Sequence, residues 1–254
     1  MTENPTAALI VIGNEILSGR TRDANIQFLA TALGRIGIPL REVRVIPDVE
    51  DEIVSAVNTL RTAHSYVFTT GGIGPTHDDI TAAAIAKAFG VPLKRHQASV
   101  EKMSQYYGAK LNEARLKMAD LPEGALPIES KATSAPGIQM ENVYVLAGVP
   151  SIARAMFDSL APTLAQGAPV ISRFVEVHLG EGDLADHLTA IQNQHMDVDL
   201  GSYPFFRGKR IGLSVVAKGT VQESIDLAIE KVIAAIKALG HTPSIDMEIQ
   251  DYEP

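Results

Sequence analysis

A glycine-rich segment, residues 69–81, carries the residues best suited to chemistry; it reads TTGGIGPTHDDIT. Glycine lets the backbone come close to a ligand and adopt positive φ angles. A helix predicted to follow the glycines offers free N–H groups and a positive dipole end, which suit a phosphate group. The segment therefore predicts an anion-binding loop. Its glycines and hydroxyl donors are Thr70, Gly71, Gly72, Gly74 and Thr76.

Two adjacent carboxylates, Asp78 and Asp79, lie near the end of this segment. One of them would be enough to cap the following helix, so the second needs another reason. Carboxylates beside a phosphate loop can hold a divalent cation that also contacts phosphate oxygens. The segment is neither a P-loop nor the dinucleotide-binding GxGxxG pattern, because no Gly-Lys-Ser/Thr follows and the glycine spacing differs. We predict a cation site here, with helix capping as the alternative.

Two more acids follow predicted strands. Glu15 lies in the segment Gly13-Asn14-Glu15-Ile16-Leu17-Ser18-Gly19 after the first strand, and Asp48 follows the second strand. Ligands of a doubly wound parallel sheet bind beyond the carboxyl ends of its strands, so we expect both acids near the glycine segment. The alternatives are a helix cap or a solvated charge for Glu15, and the N-cap of a helix at 51–60 for Asp48.

Short apolar strands alternate with amphipathic helices through the first part of the chain. This alternation predicts a parallel sheet with helices on both faces, a three-layer α/β domain. The predicted strands are 7–12, 41–45, 66–68, 125–128 and 143–146. The predicted helices are 23–33, 51–60, 78–89, 98–107, 112–118 and 152–164.

The second part of the chain has a different charge and a different pattern. Most of the net charge of −8 lies after residue 168, beyond a stretch containing Pro162, Gly167 and Pro169. We therefore predict two domains, 1–168 and 169–254. The pattern of the second domain predicts a small α+β layer of antiparallel sheet. Its predicted strands are 174–179, 198–203 and 210–217, and its predicted helices are 183–191 and 221–239.

Composition excludes several classes of protein. The 254 residues are 46% hydrophobic and 20% charged, which indicates a folded globular chain. No apolar run reaches the ~20 residues of a membrane helix, and no signal peptide is visible, so we expect no membrane partner. The lack of cysteine excludes thiolate chemistry and fits a reducing, cytoplasmic compartment. The negative net charge argues against a nucleic-acid partner.

The glycine segment and IGNEILSGRTRDAN at residues 12–25 together resemble the molybdopterin-binding (MoaB/Mog-like) domain. The resemblance is closer to the version of this domain in competence/damage-inducible protein A (CinA). Supporting motifs are Ser134-Ala135-Pro136-Gly137, Gly148-Val149-Pro150, 180–188 and 201–204. The resemblance covers nearly the whole chain. It implies a three-layer domain that binds an anionic pterin or nucleotide, a small second domain, and a homo-oligomer that is a dimer or trimer.

The resemblance also implies roles for individual residues. In the Mog-like branch, an acid after the second strand and an acid of the glycine segment are functional, which implies catalytic roles for Asp48 and Asp79. Glu15, Asp78 and Asp79 are the implied metal ligands. The implied ligand-binding residues are Gly13, Asn14, Ser18, Gly19, Asn25, Thr70, Gly71, Gly72, Gly74, Pro75, Thr76, Ser134, Pro136, Gly137, Gly148 and Pro150.

The activity implied by the CinA-like branch is metal-dependent cleavage of dinucleotide pyrophosphates such as ADP-ribose or FAD, which releases AMP. A related domain of eukaryotic FAD synthases hydrolyses FAD. The implied cofactor is Mg²⁺, Mn²⁺ or Co²⁺, with K⁺ as a candidate further ion. The deamidase domain that often follows in CinA proteins is not expected here.

Two alternatives stay open at this point. One is a non-catalytic protein that binds molybdopterin or a nucleotide, and the other is an adenylyltransferase-like step in molybdenum cofactor synthesis. The paired acids Asp78 and Asp79 favour the hydrolase, because a pure anion binder gains little from them. The unusual segment 130–133 favours the binding protein, and Asn14, which stands where the family usually has Asp, is a second departure that bears on ligand identity.

Overall fold

The computed structural model describes residues 4–207 and 210–246. The chain divides into two compact units, Met1–Gly167 and Ala168–Pro254. The boundary predicted from charge and composition lies one residue further along the chain.

The first unit is organised around a six-stranded sheet. Its strands and those of a small separate pair are β1 (Ala7–Ile12), β2 (Leu40–Ile46), β3 (Tyr66–Thr70), β4 (Leu93–Arg95), β5 (Asp120–Pro122), β6 (Leu126–Ile128), β7 (Gly137–Met140) and β8 (Val143–Leu146). The order in the large sheet is β2–β1–β3–β8–β7–β6, and β4 pairs with β5. The first four strands of that order are parallel, whereas β7 runs antiparallel to both of its neighbours. The predicted α/β class is confirmed, with one antiparallel strand inside a mostly parallel sheet.

Helices cover both faces of this sheet. They are α1 (Asn14–Leu17), α2 (Asn25–Arg35), α3 (Glu50–Ala63), α4 (Thr81–Phe89), α5 (Gln97–Tyr107), α6 (Glu113–Leu116) and α7 (Pro150–Leu160). Leu9, on one side of β1, belongs to a core that includes α2 and α7, and Ile10, on the other side, belongs to a core that includes α3 and α4. All six residues of β1 are buried. A strand buried on both faces reads as a continuous apolar run, which explains the sequence AALIVI.

Several predicted boundaries in the first unit differ from the structure, and a short helix was missed. The helix predicted from Asp78 begins at Thr81. A short helix, α1, lies within the segment predicted as a loop after β1. The last helix runs from Pro150 to Leu160 rather than over 152–164, and a 3-10 turn, Ala161–Thr163, follows it. The first of these differences matters for function, because it leaves the two aspartates in the loop.

The second unit is a smaller layer of sheet and helices. Its elements are β9 (Ile171–Val177), α8 (Glu181–Gln194), β10 (Asp199–Arg207), β11 (Arg210–Gly219), α9 (Gln222–Ala238) and β12 (Ser244–Ile245). The antiparallel sheet has the order β10–β11–β9–β12. This β-α-β-β-α-β arrangement is ferredoxin-like. The predicted α+β class is confirmed, and β12 is an addition that the sequence did not indicate.

Candidate functional site

The loops that leave the parallel strands meet at the carboxyl end of the first sheet. The amide of Gly71, after β3, donates to the carbonyl of Leu146 at the end of β8, at 3.3 Å. The Asn25 side chain donates through Nδ2 to the Gly148 carbonyl at 2.9 Å. We call these residues the loop edge: 13–25, 47–49, 71–80, 129–136 and 147–149. The segment before β7 belongs to it, because β7 is antiparallel to β8 and therefore begins where β8 ends.

Asp48 joins two of these loops. Its Oδ2 accepts a hydrogen bond from the backbone amide of Asn14 at 2.9 Å. Helix α3 begins at Glu50, its N-cap residue is Val49, and no side chain caps it. The alternative prediction that Asp48 caps this helix is therefore wrong. The carboxylate instead fixes the loop after β2 to the loop after β1.

Asp79 closes the glycine-rich loop upon itself. Its Oδ2 accepts hydrogen bonds from the Thr76 amide at 2.8 Å and from the Thr76 hydroxyl. The N-cap of α4 is Ile80, which makes no side-chain cap, and the first turn of α4 contains no acid. The helix-capping alternative is therefore wrong for Asp78 as well as for Asp79. The structural role of Asp79 is therefore to hold the loop closed through its bonds to Thr76.

Asp78 and His77 form the exposed part of the same loop. The Thr76 hydroxyl, followed in importance by the backbone amide of Asp78 itself, lowers the pKa of the Asp78 carboxyl below its ordinary value. Asp78 is therefore ionised throughout the neutral range. His77 is almost fully exposed, and its Nδ1 lies 4.0 Å from Asp78 Oδ1. Because both side chains are exposed, this contact does not fix the orientation of the His77 ring.

Two glycines of the loop are required by its own geometry. Gly71 has φ +103°, and a Cβ added there would lie 2.1 Å from the carbonyl oxygen of Ile12. Gly72 has φ +66°, and a Cβ there would lie 2.2 Å from Thr81 Oγ1. The Thr81 hydroxyl in turn donates to the Gly71 carbonyl at 3.0 Å. These contacts pack the loop against β1 and the start of α4, which keeps it close to the ends of the strands.

Three buried polar atoms at or beside the loop edge have no hydrogen-bond partner in the part of the chain that the structure describes. They are Asn25 Oδ1, Thr70 Oγ1 and Ser134 Oγ. An unsatisfied buried polar group costs about 1–3 kcal/mol, so such groups call for an explanation. All three residues were predicted to bind ligand, and a ligand with its own donors and acceptors would satisfy them after a small local movement. Unpartnered atoms also occur at Thr69, in the same strand, and at His195, in the second unit.

The other predicted site residues lie on the same loops. Glu15 is exposed in the first turn of α1, and its carboxylate lies over Gly13, where an added Cβ would approach Oε1 to 2.5 Å. Ser18 donates to the Glu15 carbonyl at 3.3 Å. The remaining predicted residues at the loop edge or at the elements beside it are Gly13, Asn14, Gly19, Gly74, Pro75, Thr76, Pro136, Gly137, Gly148 and Pro150.

The carboxylates do not form a ready-made metal cage. No group of three or more His, Asp or Glu side chains within residues 4–207 and 210–246 is placed to hold a metal ion. The second oxygens of Asp48 and Asp79 accept no hydrogen bond from any residue that the structure describes. Mg²⁺ in proteins is often held by one or two carboxylates together with substrate phosphates and water. The donor set therefore fits a cation that binds together with an anionic ligand.

Sequence reasoning missed Thr81. Its hydroxyl is buried and supports the carbonyl of Gly71, so it holds the glycine loop from the helix side. The indication in the sequence was a threonine at the start of the helix that follows the glycine-rich loop. The alternation of strands and helices did not reveal it, because that pattern concerns apolar residues.

The link between Asp48 and Asn14 leads to a first prediction. Replacing Asp48 with Ala removes the acceptor for the Asn14 amide and should lower the free energy of unfolding by about 1 kcal/mol. Asp48→Asn keeps an acceptor oxygen and removes only the charge, so its stability should stay close to wild type. Urea denaturation of both variants measures this difference. Equal losses in the two variants would show that the charge, and not the hydrogen bond, stabilises the loop.

Comparison with known proteins identifies a family for each unit. Residues 8–166 match the family model described as a probable molybdopterin binding domain, and residues 169–242 match the FAD synthase middle domain. A protein of Aeropyrum pernix is 35% identical, over 94% of this chain and 97% of its own length. A probable FAD synthase of Caenorhabditis elegans is 32% identical, over 95% of this chain and 51% of its own length.

Among solved structures, the protein CinA of Thermoplasma acidophilum, described as having unknown function, is 34% identical to this chain. The match has a TM-score of 0.60 and covers 64% of this chain and 99% of that one. No helix among the described residues is long and apolar enough to cross a membrane. The family and structure matches show that the chain belongs to the CinA-like family of proteins with a molybdopterin-binding domain, and that its second unit is of the FAD synthase middle-domain type.

Proposed function

We propose that the first unit binds a dinucleotide pyrophosphate, such as ADP-ribose or FAD, at the loop edge and hydrolyses it. One observation carries this proposal: a glycine loop, unpartnered buried polar atoms and two carboxylates with free oxygens occur together at one end of the sheet. The carboxylates cap no helix, so their position calls for a function at the site.

The glycine loop supports an anionic ligand. The backbone amides of residues 72–74 belong to the loop that leads into α4, whose N-terminus adds a favourable dipole for negative charge. The buried hydroxyl of Thr70 and the amide of Asn25 offer hydrogen bonds to the remainder of the ligand. These groups recognise phosphate and polar ring atoms, which nucleotides and pterins share.

The proposed reaction consumes one water molecule. The oxygen of water attacks one phosphorus atom, the bond from that phosphorus to the bridging oxygen breaks, and the leaving phosphate takes up a proton. ADP-ribose then gives AMP and ribose 5-phosphate, and FAD gives AMP and riboflavin 5′-phosphate. Asp79 is our candidate for the base that accepts the proton from water, and Asp48 supports it. A divalent cation, when bound, would neutralise charge on the diphosphate.

FAD is included because of the relatives. The probable FAD synthase of Caenorhabditis elegans carries a region similar to 95% of this chain, and residues 169–242 match a domain named for FAD synthase. This chain spans about half the length of that relative, so the synthase activity itself is not transferred. A flavin dinucleotide is a ligand class that these similarities support.

A non-catalytic binding protein for a nucleotide or molybdopterin is the second candidate. Its supporting observation is that the described residues contain no group of three potential metal ligands. Asn14 at the loop edge also carries no charge that could hold a cation. Such a protein would use the same glycine loop and would release no product.

A product assay separates the two candidates. We expect purified protein to release AMP from ADP-ribose or FAD with Mg²⁺, Mn²⁺ or Co²⁺ and K⁺, as measured by chromatography. An excess of chelator should remove the activity, because the carboxylates repel a diphosphate unless a divalent cation neutralises the charge between them. NAD is included as a third dinucleotide, so that the rates of AMP release from the three can be ranked. If no metal supports AMP release while ADP-ribose still binds, the hydrolase proposal is wrong and the binding protein takes its place.

The oligomeric state belongs to the same proposal. We propose a dimer or trimer, on the basis of the family resemblance alone. Light scattering coupled to size-exclusion chromatography gives the mass directly, and a mass near the 27.2 kDa of one chain would contradict it.

A further inference from the structure

Two arginines on the loop edge have no assigned role. Arg20 and Arg22 lie between α1 and α2 and are exposed. Neither makes a hydrogen bond or an ion pair with any residue among 4–207 and 210–246. Several other basic residues of the first unit are held by carboxylates, among them Arg44, Lys87 and Arg95. The charges of Arg20 and Arg22 are therefore available to a ligand.

The loop that carries them is held at the site from both sides. The amide of Thr21, between the two arginines, donates to the Glu15 carbonyl at 3.0 Å. Asn25, three residues after Arg22, is buried and binds the Gly148 carbonyl at 2.9 Å. The backbone of both arginines is thus fixed to the loop edge, next to an unpartnered Asn25 Oδ1.

The negative charge around the site explains why nearby arginines would help an anionic ligand to bind. Six acids lie on the loop edge: Glu15, Asp23, Asp48, Asp78, Asp79 and Glu129. The chain as a whole carries a net charge of −8. A ligand with two phosphate charges would be repelled by this field unless cations close to the site outweigh it.

We propose that Arg20 and Arg22 form an anion-binding arm that holds the phosphates of a dinucleotide pyrophosphate and makes the site prefer two linked phosphates over one. Guanidinium groups suit this task, because each can bind two phosphate oxygens at once. The inference rests on the ligand class of the proposed function and not on turnover. It deepens that function by naming the residues that select a ligand with two linked phosphates.

Calorimetric titration with ADP-ribose and with AMP tests the arm. We expect the double variant Arg20→Gln/Arg22→Gln to bind ADP-ribose about tenfold more weakly than wild type at low salt, with a smaller loss for AMP. The difference should shrink in high salt, because exposed charges are screened. The matched control is Arg35→Gln/Arg41→Gln. Both of these arginines are exposed and unpaired among the described residues, but they lie at the end of α2 and the start of β2, at the opposite end of the sheet.

The outcomes separate this inference from the hydrolase proposal. Wild type that binds ADP-ribose without releasing AMP, together with weak binding by the Arg20/Arg22 variant, would support the arm and overturn the hydrolase. Equal affinity of the Arg20/Arg22 variant and wild type at low salt would overturn the arm. An equal loss in the Arg35/Arg41 control would also overturn it, because the effect would then come from net charge. A lack of ADP-ribose binding by wild type would overturn the arm together with the ligand class.

Discussion

Asp79→Asn should lower AMP release from ADP-ribose about 100-fold or more while ADP-ribose still binds. The size follows from the usual contribution of a positioned general base. Asn retains an oxygen that can accept from the Thr76 amide, which lies 2.8 Å from Asp79 Oδ2 in the present loop. The substitution therefore removes the charge and keeps the loop. Steady-state rates and calorimetric affinities, measured on the same preparation, test the prediction.

The control for Asp79 is a carboxylate of the same unit without a role at the site. Asp158 is exposed near the end of α7 and has no partner among the described residues. Asp158→Asn should leave both rate and affinity within about twofold of wild type. If Asp79→Asn releases AMP as fast as Asp158→Asn does, Asp79 serves only to close the loop, and the proposed base must be sought elsewhere.

Gly71→Ala should destabilise the first unit by about 4 kcal/mol or more, enough to prevent folding or ligand binding. Gly71 has φ +103°, a conformation that costs a non-glycine residue about 1–3 kcal/mol. The new methyl group would also lie 2.1 Å from the backbone carbonyl oxygen of Ile12, and this atom belongs to the fully buried strand β1. Neither partner can move away without disturbing β1. Urea denaturation and the yield of soluble protein measure the effect.

A second glycine gives the matched control. Gly90, the C-cap of α4, has φ +67°, and a Cβ added there would meet no atom within 4 Å. Gly90→Ala should therefore cost only about 1 kcal/mol, the price of the backbone conformation alone. If both substitutions lowered the stability equally, the close approach of Gly71 to β1 would not contribute, and the tight packing of this loop would have no energetic basis.

The pattern of apolar residues predicted most of the fold. The buried strand at 7–12 was predicted with the bounds that the structure has, because a strand buried on both faces leaves an uninterrupted apolar run. β7 was not predicted. It is four residues long and begins directly after Ser134-Ala135-Pro136, a sequence that indicates a loop. It is a strand because it pairs with β6 and, across a two-residue turn, with β8, and its four residues are too few to show a clear alternating pattern.

The site was predicted as a set of loops but not in its detailed contacts. The rule that ligands bind beyond the carboxyl ends of parallel strands placed Asp48 and Asp79 at one edge. Their hydrogen bonds to the backbone of neighbouring loop residues could not be derived, because Ser, Thr, Asp and Asn before a helix most often indicate a cap. The start of α4 was predicted three residues too early for the same reason.

The bond from Asn25 to Gly148 joins residues that are 123 positions apart along the chain. Contacts of such large separation require the closure of long loops, and they form after local contacts during folding. The loop edge is therefore complete only when β8 has joined β3, long after β1 and α2 have been synthesised. A ligand that binds there recognises only the fully assembled first unit and stabilises it by mass action. Ligand binding thus reports on the completion of folding of the first unit as well as on recognition.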